Sequence, residues 1–407
     1  MFNNKKIFVV VTLLYILYTV FPLFADIISI PVWLPSIATV LVIVLLFPNA
    51  FKNKLFYWFL VYAAVLTTYV LTGRDLTIGI GTVDDEKKIF IEFAFILPAI
   101  AIFCVLYYLK DEQVNRRVAI WSIAILFLSF LVAVPLMQRY GSLRGAINTG
   151  WSEKTKIPGL PGYALMHAYT LFLPVMCYAV KKLKGWQKWI FLLGLFVLCY
   201  VVYDTFVTTS LLIMIGILSI SLVYTGKNPG VFWFIVLLGF LILYTLYLMG
   251  FFISLIDWIL PTFEGTPVAI KLHDMRDSMT MGELTGGSIV ERRTMHRKSW
   301  NSFMSNPLIG GGEVGKHSSI LDRFGGMGII GGVPYIMLFI TYIKQMKSLF
   351  QTQAAKVFWW IGLVAGSIFL YQKGIWGAEG WLFLMILLPY GILLFENKGV
   401  HGKIASS

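Results

Sequence analysis

Residues 118–137 read VAIWSIAILFLSFLVAVPLM, twenty positions without a charge, with Arg116 and Arg117 before them and Arg139 just after. A helix needs about 20 apolar residues to cross the ~30 Å hydrocarbon layer of a bilayer, so this stretch reads as a membrane span. Working outward, the same pattern recurs. Apolar runs bounded by charges or Gly/Pro clusters lie at 7–25, 30–47, 55–72, 89–109, 118–137, 164–180, 189–203, 205–225, 231–256, 320–343, 357–373 and 377–395. That predicts twelve spans. The run at 30–47, with Pro31 and Pro35, and the pair 189–203 and 205–225 are the weakest, so ten or eleven is the alternative.

The whole chain fits this reading. Of 407 residues, 58% are apolar and 13% charged, against about 45–50% and about 25% in a soluble domain. That balance disfavours a soluble enzyme and excludes a disordered chain, a collagen and a disulfide scaffold. Cys104, Cys177 and Cys199 sit in apolar runs without a CxxC pair, so neither a zinc site nor a disulfide framework is indicated. The N-terminal Asn3-Asn4-Lys5-Lys6 and the apolar run behind it resemble a signal peptide, but no A-x-A site follows, and an uncleaved first helix is expected. The expected fold is an all-α integral membrane protein, a polytopic bundle of about 12 transmembrane helices. Residues 1–256 carry helices 1–9, residues 257–319 a large helical extracytoplasmic loop, and residues 320–407 helices 10–12 and a tail.

Charge sets the orientation. Alternate loops (the N-terminus, 48–54, 110–117, 181–188, 226–230, 344–356 and the C-terminus) hold 17 of the 33 cations and three of the 20 acids. The positive-inside rule places these loops, and both termini, in the cytoplasm. The net charge of +13 is then topology rather than a nucleic-acid footprint, and no nucleic-acid partner is expected. Twelve of the remaining 16 cations fall in two outside loops, 138–163 and 257–323. Something outside calls for positive charge at two places.

The first is Ser288–Met304, SIVERRTMHRKSWNSFM. Ser288 with Glu291 three residues on is a capping-box pattern, and Pro307 and Gly310-Gly311-Gly312 stop the helix. At about 100° per residue, Arg292, Arg293, His296, Arg297, Ile289, Trp300 and Phe303 fall within roughly 140° of the helix circumference. Cations and large apolar groups thus share a face. One reading is a membrane-surface helix whose arginines meet lipid phosphates. The sharper one is the lining of an anionic site, with arginines for bidentate phosphate contact and Trp300 for lipid or sugar packing.

A glycine turn then leads to Lys316-His317-Ser318-Ser319 and, about one and a half turns on, Asp322-Arg323. Gly310 and Gly312 let the backbone approach a ligand closely. His317, at the mouth of the tenth span, is suited to accept a proton near neutral pH. A Ser318–His317–Asp322 hydrolase is disfavoured, since no nucleophile elbow is present. In the loop 138–163, Arg139 and Arg144 read either as interface anchors or as a second phosphate clamp. His167, inside the start of a span, reads as a packed polar residue. The run Asp84-Asp85-Glu86 is flanked by Lys87 and Lys88 and reads as a solvated loop. No HExxH or DxD occurs, so no metal and no cofactor are expected.

The stretch Ser288–Gly332 resembles the O-antigen polymerase/ligase superfamily of bacterial membrane glycosyltransferases. The matching pattern is an arginine in a short helix (Arg292, Arg293), a Pro-x-x-Gly-x-Gly turn (Pro307 to Gly312), a His-[Asn/Ser] pair (His317-Ser318) and a Gly-rich helix start (Gly325 to Gly331). It covers about 45 residues; elsewhere the similarity is one of topology and loop placement. The resemblance implies a GT-C-like, metal-independent, inverting transferase in the bacterial inner membrane, with its site on the periplasmic face. Its implied partners are undecaprenyl-pyrophosphate-linked oligosaccharides, membrane lipids and a chain-length regulator. His317, Arg292 and Arg293 take the catalytic roles it implies. Arg292, Arg293, Arg297, Arg139 and Arg144 are expected to bind pyrophosphate, with His296, Trp300, Gly310, Gly312, Ser318 and Asp322 in support. Ligase-type members tend to carry Thr-x-Ser-Arg in a late helix and His-Asn in the loop. Here Thr208-Thr209-Ser210-Leu211 lacks the arginine and His317 is followed by Ser318. Both features favour a polymerase over a ligase. A flippase would show an internal repeat and mid-span charges, whereas the charges here concentrate in outside loops.

Overall fold

The computed structural model describes residues 2–72, 85–139, 157–205, 207–224, 229–265, 267–280, 288–372 and 377–404. Among them every regular element is helical. In chain order these are α1 (Phe2–Val20), α2 (Pro22–Ile28), α3 (Trp33–Leu46), α4 (Lys54–Leu71), α5 (Asp85–Leu109), α6 (Glu112–Arg139), α7 (Tyr163–Lys182), α8 (Gly185–Asp204) and α9 (Thr208–Val223). Then follow α10 (Pro229–Leu248), α11 (Phe251–Ile259), α12 (Pro267–Thr280), α13 (Ser288–Ser305), α14 (Ser319–Lys347), α15 (Gln353–Gln372), α16 (Ala378–Leu382) and α17 (Leu388–Ile404), the last two joined by a π-helical turn.

Eight helices are long and apolar enough to cross a membrane, or up to ten if each of two bent pairs is one span. This is fewer than the twelve expected from the apolar runs. Each of those runs does form a helix, but α3 and the stretch Thr209–Val223 are shorter than a span. Fourteen residues rise only about 21 Å, short of a ~30 Å core. The first run is broken between α1 and α2 by 95°, where Pro22 opens a new helix because it has no N–H to continue the old one. The ninth run bends by 76° at Gly250, whose φ of 73° is left-handed. The ninth apolar run is thus two helices, α10 and α11, set at an angle. Asp85 already lies in α5, so the acidic run read as solvated loop is helical from there; Asp84 is outside the described residues.

Two physical features mark a membrane bundle. On α8, Trp186, Trp189, Leu193 and Phe196 recur at helical spacing and are all about two-thirds exposed or more. A stripe of large apolar groups facing outward is stable against lipid and not against water. Inside, α7 and the stretch Ala378–Glu396 are the most deeply buried spans. Packing there depends on small residues. Gly362 and Gly366 on α15 leave room for Leu388 and Leu384, whose methyls a Cβ would meet at 2.6 and 2.9 Å.

Several of the basic loops contact one another. Lys5 donates to Asp111 at 2.6 Å, Gln345 Nε2 donates to Asn53 Oδ1 at 2.6 Å, and the Gln351 N–H donates to Glu396 at 2.9 Å. Lys5 also holds the Asp111 carboxyl below the usual carboxylate range.

Candidate functional site

The helix α13 covers the stretch that its spacing predicted, and it packs on α14. Ser299 and Ser302 are buried in this contact. The fit is backbone to backbone: a Cβ on Gly325 would lie 2.6 Å from the Ser299 carbonyl oxygen, and one on Gly315 would lie 2.0 Å from that of Met295. Ser302 Oγ donates to the Gly325 carbonyl at 3.0 Å.

A hydrogen-bonded knot locks the corner between the two helices. Asp322 Oδ1 accepts from Ser299 Oγ at 2.6 Å, while Oδ2 accepts from the Ser318 N–H at 3.1 Å. Ser299 Oγ in turn accepts from the Gly315 N–H at 2.8 Å. Ser318 caps α14, its Oγ accepting from the Leu321 N–H at 3.2 Å. Ser318 and Asp322 are therefore committed to structure at this corner. Ser299→Ala leaves a buried carboxylate oxygen and a buried N–H without this partner, a cost of about 1–3 kcal/mol for each buried group. The expected result is a lower melting temperature of the detergent-extracted protein; an unchanged one would mean that the knot bears no load.

Of the two turn glycines expected to let a ligand approach closely, only Gly312 is open. A Cβ on Gly310 would lie 2.5 Å from the Gly326 carbonyl group, so that glycine is spent on contact with α14. Gly312, with φ of 91°, has nothing within 4 Å of its Cβ position. Opposite the turn, α14 is interrupted at Gly328, whose φ of 59° and ψ of −155° are not helical. The break orphans two N–H groups. Ile329 donates instead to the Pro307 carbonyl at 2.9 Å and Ile330 to that of Leu308 at 3.2 Å. Arg323 and Tyr335 are twelve residues apart, which is about 18 Å along a straight helix. The Arg323 guanidinium nevertheless stacks 4.2 Å from the centre of the Tyr335 ring. Residues 319–327 are thus a half-helix folded back beside residues 329–347.

Around the corner stand the titratable groups. His317 and His296 are partly buried, and both interact electrostatically with Arg292 and Asp322. Burial pushes the His317 ring below its ordinary value, and the Arg292 charge pushes the same way, while Asp322 opposes them. Burial likewise lowers His296, with Asp322 and the backbone at His317 opposing. His296 packs 5.3 Å from the Tyr371 ring, and its Nε2 is buried without a hydrogen-bond partner among the described residues.

The shared face of α13 divides in the folded protein. Arg292, His296 and Phe303 turn partly inward, whereas Arg293, Arg297 and Trp300 are exposed. The reason is that the contact with α14 is centred on Ser299, which lies to one side of the arginine arc. Arg139 is exposed at the end of α6, and Arg144 lies outside the described residues. His167 is the packed polar residue expected: it is buried, its Nδ1 lies 2.8 Å from Ser210 Oγ, and its ring packs at a tilt against Phe369. No group of three or more potential metal-ligating residues occurs among the described residues.

Sequence reasoning passed over Glu92, Tyr62 and the partner of Arg323. Arg323 forms a buried ion pair with Glu92, donates to Tyr62 OH at 3.0 Å, and donates to the Ser319 carbonyl at 2.7 Å. Tyr62 OH donates to Glu92 at 2.5 Å. The signal was present, since a lone Glu inside the apolar run 89–109 is an ionisable group in a span and demands a partner.

No known protein family matches the chain, and no curated protein does. The fold and corner define the class as a polytopic helical membrane protein with an arginine- and histidine-bearing corner between α13 and α14.

Proposed function

We propose that the protein is a membrane polysaccharide polymerase. It transfers a glycan chain from undecaprenyl pyrophosphate to a sugar hydroxyl of the next lipid-linked repeat unit, with inversion and without a metal. The observation that supports this reading is the gathering of Arg292, His296 and His317 at one hydrogen-bonded corner. On this reading the bundle is GT-C-like and crosses the bacterial inner membrane twelve times, with α3 and α9 as thin crossings. Both termini face the cytoplasm and the corner faces the periplasm.

The chemistry follows from the groups. The acceptor hydroxyl oxygen attacks the anomeric carbon as the bond from that carbon to the phosphate oxygen breaks. The pyrophosphate leaves with the lipid, and its growing charge is offset by Arg292, with Arg293 and Arg297 on the open side. His317 takes the hydroxyl proton. A lowered pKa suits that role, because the ring is then neutral, and able to accept, at and below pH 7.

The test uses the full-length chain in vesicles with an undecaprenyl-pyrophosphate-linked repeat unit. A ladder of lipid-linked polymer with release of undecaprenyl pyrophosphate is expected, unchanged by EDTA. Product only on an added lipid A-core acceptor would make the protein a ligase, and no product on either would sink the reading. The pH profile has a definite sign. The rate should hold through pH 7 and fall only below the ordinary histidine value of about 6.5. An acid limb above pH 7 would remove His317 as the base.

A further inference from the structure

Arg323 makes several buried polar contacts, and the proposed chemistry does not use it. It is buried, it sits on the folded-back half-helix 319–327, and its guanidinium is enclosed. Glu92 from α5, Tyr62 from α4, the Ser319 carbonyl and the Tyr335 ring all contact it. Its neighbour Asp322, about 100° round the helix, bonds instead to Ser299 on α13 and to the Ser318 N–H. Two consecutive residues therefore tie one half-helix to different partners. Asp322 holds the loop helix, and Arg323 holds the membrane body.

We infer that the Glu92–Arg323–Tyr62 cluster is a positioning device, which fixes the half-helix, and through Asp322 the His317 corner, at a set place against α4 and α5. Burying an ion pair is weak evidence for stability, because desolvation offsets much of the Coulomb gain. An apolar pair of similar volume would hold the helices together about as well. What it would lack is direction. The guanidinium fork donates to a hydroxyl and a carbonyl at once and pairs with a carboxylate, which fixes the rotation and depth of the half-helix as apolar contact does not. The break at Gly328 makes such a fixture necessary. Residues 319–327 are cut from the ladder of 329–347, and among the described residues they are held by side-chain contacts and by the Gly311 N–H, which donates to the Gly325 carbonyl at 3.0 Å. The functional consequence rests on the reading of the corner as the transfer site; the positioning itself does not.

The test separates the two. Glu92→Leu alone should fail to accumulate, since Arg323 is left buried without its counter-charge. The double variant Glu92→Leu with Arg323→Met removes both charges and should insert at wild-type level. Hydrogen–deuterium exchange of the full chain in nanodiscs is the structural readout. Exchange should rise in 291–327 by about tenfold or more and stay unchanged in α6 and α7, with turnover falling at least tenfold at unchanged KM. Exchange at the wild-type rate in 291–327 would overturn the inference. Raised exchange confined to that segment with wild-type turnover would keep the positioning role and sink the corner as the site. Should the double variant not insert, Tyr62→Phe loses one acceptor for Arg323 and strands no charge. A smaller rise confined to the same segment supports the inference, and no rise overturns it.

Discussion

His317→Ala is expected to lower glycan transfer by roughly 10²- to 10⁴-fold, the range a positioned general base supplies, in a protein that still inserts. The ring is partly buried at the mouth of α14, beside Arg292 and His296. Its neighbours Ser318 and Asp322 carry the cap and the knot. Removing the imidazole therefore leaves the corner's hydrogen bonds in place, and the loss should appear in kcat. Arg292→Ala should cost a comparable factor, because it is the arginine turned inward beside both histidines. Arg293→Ala should cost less, since its side chain stands on the exposed side of α13. Normal ladders of long glycan from both Arg292→Ala and Arg293→Ala would overturn the phosphate clamp. A full rate from His317→Ala would mean that another group takes the proton. His296, whose buried Nε2 has no hydrogen-bond partner among the described residues, is then the next candidate.

The second large effect is structural and independent of any activity. Gly328→Ala should remove most of the folded protein. With φ of 59° and ψ of −155°, Gly328 occupies backbone space that side chains do not tolerate, at a cost of about 1–3 kcal/mol. A Cβ there would also lie 2.4 Å from the Leu308 carbonyl group, whose oxygen accepts from Ile330. Relieving that overlap moves the turn off the half-helix, adding about another 1–3 kcal/mol. The sum is a large part of a typical folding free energy of about 5–15 kcal/mol. The monodisperse fraction after detergent extraction should fall sharply. Gly216→Ala is the control, because its Cβ position is open and its backbone is helical. Equal extraction of the two variants would show that the break at Gly328 is not required.

Much of this was legible without coordinates. The apolar runs located every span-forming helix, since a bilayer imposes its length and polarity on each segment separately. The capping pattern at Ser288 and the breakers at Pro307 and Gly310 bracketed α13 to within a residue, since caps and breakers act locally. The shared arginine face was legible too, but its division was not. Which half of a helix faces inward depends on where Ser299 and Ser302 meet Asp322 and Gly325 of α14, each 23 residues away in sequence. The cluster at Arg323 spans 231 residues to Glu92 and 261 to Tyr62, and only the polarity mismatch of Glu92 hinted at it.

The chain order of residues alone thus determined a helical membrane bundle and the loop in which arginines and histidines concentrate, because span length, charge bias and helix caps are read one segment at a time. Tertiary structure alone decided that α14 folds back at Gly328 and that Arg292, rather than Arg293, joins the histidines. It also decided that Gly310 serves packing. These are outcomes of contact between segments distant in sequence, where a missing Cβ or a buried charge acquires its meaning only from the atoms brought opposite it.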